Sequence, residues 1–213
     1  MPMAPGMFPL LCQVLLAALL ALALSSPASP SKDQAPSDAA AGKFLRACCA
    51  NTTSAAVCYD SLLPLADSFQ GNRVKVAGAA TAIAFARLRR FGTELRHIQR
   101  GGSTGFGIRV DRTLESCVKY ITIAFTDEGA VLAKLRRLET VAGRRGKHAR
   151  SDLVEARIAL VRVGDSVTYC ADDFAGFSGA VLASPLGKKV LAGNATVRLC
   201  NGIASELVAS IKL

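Results

Sequence analysis

The chain has 213 residues, with 26 lysines and arginines against 16 aspartates and glutamates, for a net charge of +10. Hydrophobic residues make up 51%, enough to build a core, which excludes wholesale disorder. Aromatics are only 6% with no tryptophan, against a sugar-stacking or base-stacking module, and two histidines leave little for a His-rich metal site or general-base catalysis.

Residues 10–24 form an apolar run of about 15 residues, short of the roughly 20 that a membrane span needs. Small residues and a Ser/Pro/Ala-rich stretch follow. The segment 1–28 therefore reads as a signal peptide, with cleavage expected between residues 25 and 28. A secreted chain follows, with no membrane anchor. Residues 29–41 read as a disordered leader.

Residues 42–69 carry Phe44, Leu45, Leu62, Leu63, Leu65 and Phe69. We expect two short helices in a hairpin, clipped by a bridge between Cys49 and Cys58; free core cysteines are the alternative.

From residue 71 onward the apolar spacing alternates three and four, the mark of helices that bury one face. The first stripe runs from Val74 through Ala84 and Phe91 to Ile98. The second runs from Leu114 through Cys117 and Ile121 to Leu138 and Ala142, with one polar break at Glu128. The third runs from Leu153 through Leu160 and Cys170 to Phe174. The fourth runs from Val190 to Ile211 and includes Asn194 and Asn201. Gly101–Gly105, Gly143–Gly146 and the segment 176–185 separate them, because glycine and proline disfavour helix continuation. Ser151 and Ser103–Thr104 are candidate N-caps. The fold expected over 71–213 is an all-α, up-down-up-down four-helix bundle preceded by the hairpin.

Cys117 and Cys170 fall on the second and third stripes. They lie about 26 residues before and about 24 after the turn near residue 143, which sets them at one height on antiparallel helices. A bridge there closes a loop of about 50 residues, worth on the order of 4 kcal/mol by chain entropy. Cys48 and Cys200 remain over. No C-x-x-C spacing occurs, so no metal or cofactor is expected. Asn51-Thr52-Thr53 and Asn194-Ala195-Thr196 are N-glycosylation sequons.

The cysteine layout resembles that of the plant invertase/pectin methylesterase inhibitor family. The resembling residues are Cys49, Thr52, Cys58 and Ser61-Leu62, then Cys117 with Tyr120, then Thr168, Cys170, Asp172 and Phe174, then Cys200-Asn201. The spacing to Thr52 favours Cys49 over Cys48 as the partner of Cys58. The chain departs from the family pattern before the second cysteine, where Ser54-Ala55-Ala56 replaces a Tyr-Pro. The Pro-Lys-Phe segment associated with invertase inhibitors has no counterpart between residues 143 and 170.

The resemblance implies a non-catalytic, secreted protein of the apoplast or cell wall. It would bind pectin methylesterase 1:1 and cover the active-site cleft; acid invertase is the alternative target. A third reading is a basic wall protein that binds acidic pectin without inhibiting an enzyme. Secretion argues against nucleic acid as a partner. Arg136, Arg137, Arg144, Arg145, Lys147 and Arg150, with Lys134, gather around one turn and are the candidate partner-binding residues, by steering toward an acidic surface. His148 sits among them as a surface histidine. Exposed positions on the second and third bundle helices are the expected contact surface. No nucleophile-elbow pattern or ordered triad occurs, so no catalytic residue is assigned.

Overall fold

The computed structural model describes the backbone of residues 34–213 and the side-chain burial of residues 39–213. The expected signal peptide and the start of the leader lie outside the described residues. Nearly everything described belongs to one compact unit, Ser37–Leu213. Among the described residues the secondary structure is helical throughout.

The first helix, α1 (Gln34–Cys49), begins inside the segment expected to be disordered. Its Ala39-Ala40-Ala41 run has the highest intrinsic helix propensity, which the Ser/Pro-rich composition of the preceding residues obscures. A tight turn leads to α2 (Ala55–Leu62), and Cys49 is joined to Cys58 across it with a Cα separation of 5.7 Å. A single 3₁₀ turn at Leu63–Leu65 and the short α3 (Ala66–Phe69) complete the hairpin unit. Gln70 and Gly71 both take positive φ, which reverses the chain and ends α3.

The bundle is built from α4 (Arg73–Arg100), α5 (Ile108–Ala124) with α6 (Glu128–Leu138), α8 (Ala149–Ala175) and α10 (Pro185–Ala209); α7 (Val141–Arg145) and α9 (Gly179–Ala183) are short connectors. Helix α4 packs against α10 and against α5 and α6, and α8 packs against the same partners from the other side. Cross-helix pairs fix the direction. Cys117–Cys170, Asp127–Arg162, Lys134–Glu155 and Arg137–Asp152 step up one helix and down the other, so α5 and α6 run antiparallel to α8. The pairs Leu160–Asn201 and Arg157–Ala209 do the same for α8 and α10. The result is the expected up-down-up-down bundle.

The expected seams are the buried faces. Val74, Phe91, Leu114, Ile121, Leu138, Leu160, Phe174, Val190 and Val208 all lie in one core. The second seam departs from the expectation in two respects: its last position, Ala142, is exposed in the connector α7, and its helix is interrupted at Phe125–Asp127. The polar break at Glu128 is the reason for the interruption. Its carboxylate pairs with Arg89 of α4 at the rim and does not enter the core, so α6 restarts with its own first turn there.

The helix starts also differ from expectation. Asn72 caps α4 by accepting from the Val74 amide at 2.9 Å, and Ser184 caps α10 by accepting from the Gly187 amide at 3.1 Å, with Pro185 at the first helical position. Ser151 lies inside α8, not at its start. Ser103 and Thr104 precede α5 by several residues and both donate to the Asp111 carboxylate in its first turn.

Candidate functional site

Helix α8 carries two apolar faces where a bundle helix needs one. Leu153, Ala156, Leu160, Val163, Val167, Cys170 and Phe174 fill the core. On the opposite side Val154, Ile158 and Val161 recur at helical spacing and are 44%, 46% and 59% exposed; the exposed Asp165 takes the next turn, and Tyr169, 58% exposed, follows it. Single exposed apolar residues are ordinary on a protein surface; an outward stripe of β-branched residues down one helix is not. The neighbouring helix extends it. The Tyr120 ring of α5 lies 5.9 Å from that of Tyr169. Ile123, 57% exposed, follows on α5 between that contact and the Asp127–Arg162 ion pair. The groove between α6 and α8 is bordered by Asp127, Lys134, Ile158 and Arg162.

The basic residues around the α6–α8 turn sort into two groups. Arg137 forms a two-pronged pair with Asp152, at 2.6 and 3.0 Å. The Arg137 hydrogen bonds hold the Asp152 carboxyl below its usual range against the opposing effect of its own burial, and Lys134 and His148 add attraction. Lys134 pairs with Glu155 at 2.7 Å. Arg144 turns one guanidinium nitrogen onto the carbonyls of Leu138 and Glu139, each at 3.0 Å, and so closes the C-terminal end of α6. These three are tied into the fold. Arg136, Arg145, Lys147 and Arg150 are exposed and form no ion pair among the described residues. Arg150 stands in the first turn of α8, on the side that carries Val154, so the free charge borders the apolar stripe. His148 occupies the N-cap position of α8 and is exposed.

The two sequons separate. Asn51 is exposed in the turn after α1, where the Thr53 hydroxyl and amide both donate to Glu206. Asn194 lies inside α10 and is 2% exposed, with no partner for either amide atom. The folded bundle therefore has no room for a glycan on the second of the two possible sequons. The spacing of Asn194 on the fourth seam already carried this signal. Asn201, one heptad on, donates to the Leu160 carbonyl at 3.0 Å, and Gly164 opposite leaves room for its amide.

Among the described residues Cys48 and Cys200 form no disulfide. Cys48 is buried and Cys200 half-buried, and desolvation raises both thiols above their ordinary range. Such thiols are poor nucleophiles. Among the described residues no cluster of His, Cys, Asp or Glu has the geometry of a metal site, and no helix is long and apolar enough to cross a membrane.

No family model matches the chain. An uncharacterized protein of Oryza sativa subsp. japonica is 36% identical over 132 residues, covering 58% of this chain and 55% of that relative; the chain thus spans about half the length of the curated relative it matches. Two solved structures share the fold. One is a mutant form of a pectin methylesterase inhibitor from Arabidopsis, with a TM-score of 0.57 and 18% identity, over 77% of this chain and 94% of that one. The other is a pectin methylesterase inhibitor from Arabidopsis thaliana, with a TM-score of 0.52 and 17% identity, over 74% and 95%. At these identities the likeness is one of fold.

Proposed function

We propose that the chain is a secreted, non-catalytic inhibitor that binds pectin methylesterase 1:1 and covers its active-site cleft. The observation that carries this reading is the outward apolar stripe of α8, on a bundle whose solved relatives are pectin methylesterase inhibitors. An inhibitory surface needs a desolvated apolar centre and a polar rim. Val154, Ile158, Val161 and Tyr169 supply the centre, with Ile123 and Tyr120 beside them. The ion pairs Lys134–Glu155 and Asp127–Arg162 supply rim groups already neutralised, whereas Asp165, exposed between Val161 and Tyr169 and without an ion pair among the described residues, needs a cation from the partner. Arg136, Arg145, Lys147 and Arg150 steer the approach of an acidic partner, and act on the association rate more than on the final affinity.

Two variants divide these roles. Ile158→Asp places a carboxylate at the apolar centre and weakens inhibition by about a hundredfold, the loss of a hot-spot residue, with the melting temperature unchanged. A variant with Arg145, Lys147 and Arg150 changed to Gln slows association about tenfold at low salt and flattens its salt dependence. Inhibition constants and association rates at parental values in both variants would show that the enzyme docks elsewhere.

A further inference from the structure

Away from the α8 stripe the molecule has a second concave feature, at the end of the bundle that meets the hairpin unit. It is a cleft of about 820 Å³. Its walls are the turn after α1, the reversal between α3 and α4, the connector α7 and the segment that follows α10. Among the described residues three cations line it, Arg73, Arg144 and Lys212, and no acidic side chain does. Asn51, Gln70 and Asn72 add amide groups. Three positive charges without a counter-ion repel one another, and a chain gathers them around a cavity at a cost in stability.

Two of the lining groups are held in place. One Arg144 guanidinium nitrogen is fixed on the Leu138 and Glu139 carbonyls, which leaves the other edges of the group free to donate. The Asn72 amide bridges the Val74 amide and the Glu139 carbonyl, at 2.9 and 2.8 Å, and locks the first turn of α4 against α6. The positive end of the 28-residue α4 therefore opens on the same space. Arg73 and Lys212 are exposed and form no ion pair among the described residues. The volume falls in the range of small-molecule sites.

We infer that this cleft is a binding site for a compact oxyanion with two or more negative charges, a polycarboxylate or a polyphosphate, held between Arg73, Arg144 and Lys212. Arginine forks suit either chemistry through paired hydrogen bonds, and the separated cations favour a ligand that can reach more than one of them. The site does not depend on the inhibitor reading: it lies on elements other than the α8 stripe and would be occupied whether or not an enzyme is bound.

The test is an amide-resolved NMR titration of the purified, oxidised protein with citrate, pyrophosphate and acetate at constant ionic strength. Citrate or pyrophosphate should shift the amides of residues 70–74, 144 and 210–212 saturably, and acetate should not. The tighter of the two ligands identifies the preferred chemistry. The double variant Arg73→Gln, Lys212→Gln leaves Arg144 and the fold intact and should weaken binding about tenfold or more. An absence of saturable shifts at millimolar ligand, equal shifts with acetate, or unchanged binding by the double variant would each overturn the assignment.

Discussion

The two disulfides close loops of very different length, and this sets an order for their contributions to stability. Cys49–Cys58 spans a separation of 9 residues and Cys117–Cys170 one of 53. Chain entropy assigns about 2.5 kcal/mol to the short loop and about 4 kcal/mol to the long one at 25 °C. All four cysteines are at most 1% exposed, so replacing either pair with alanine removes similar packing. The difference between the two double variants should then be about 1.5 kcal/mol, the entropy of the longer loop. For a unit of this size each kcal/mol moves the midpoint by about 2–4 °C, so the Cys117/Cys170 variant should melt about 8–16 °C below the parent and the Cys49/Cys58 variant about 5–10 °C below. Guanidinium titrations of both variants and the parent measure this, with the slopes compared to check that the unfolded state is otherwise alike. A short bridge that costs as much as the long one would refute the loop-entropy reasoning.

Two further predictions concern packing and charge. A Cβ at Gly193 would lie 2.3 Å from the Phe91 ring, whereas one at Gly202 in the same helix meets nothing within 4 Å. Gly193→Ala should destabilise by about 1–3 kcal/mol and Gly202→Ala should stabilise by up to about 1 kcal/mol, opposite signs in a urea melt; a shared sign would contradict the α4–α10 packing. The Asp152 carboxyl is held below its usual range, by the Arg137 hydrogen bonds first. Its contribution is therefore complete above the unfolded carboxyl value of about 3.9 and fades as pH falls through the lower folded value. Asp152→Asn should lower the melting temperature at neutral pH and lose less of it between about pH 5 and about pH 2 than the parent does. Parallel pH profiles would show that the pair is not formed in solution.

Much of the bundle is written in the spacing of single residues, because a helix that buries one face must repeat apolar side chains every three or four positions. Val74, Leu114, Leu160 and Val190 could be assigned to seams for that reason, and Cys117 and Cys170 to one height because equal distances from a turn mean equal depth. What spacing does not record is the rotation of one helix about its neighbour. Arg137 reads as one member of a free basic cluster until α8 turns Asp152 toward it, and Lys134 is likewise taken by Glu155. Helix ends escape for a similar cause: Asn72 and Ser184 cap because of where the chain turns, while Ser103 and Ser151 have suitable side chains in the wrong places. Asn194 was open to a better reading. Its place on the seam outweighs the three-residue sequon, since a core position excludes a sugar. The outward stripe of α8 is equally legible, as Val154, Ile158 and Val161 repeat at helical spacing on the face opposite the core seam.

The central claim is inhibition, and a titration of enzyme activity tests it most directly. Increasing amounts of the oxidised protein are added to a fixed amount of plant pectin methylesterase near pH 6, with a parallel series after reduction of the disulfides. The account predicts a linear fall in activity to an endpoint at one inhibitor per enzyme, and loss of that inhibition in the reduced series. Full enzyme activity at micromolar oxidised protein would contradict it.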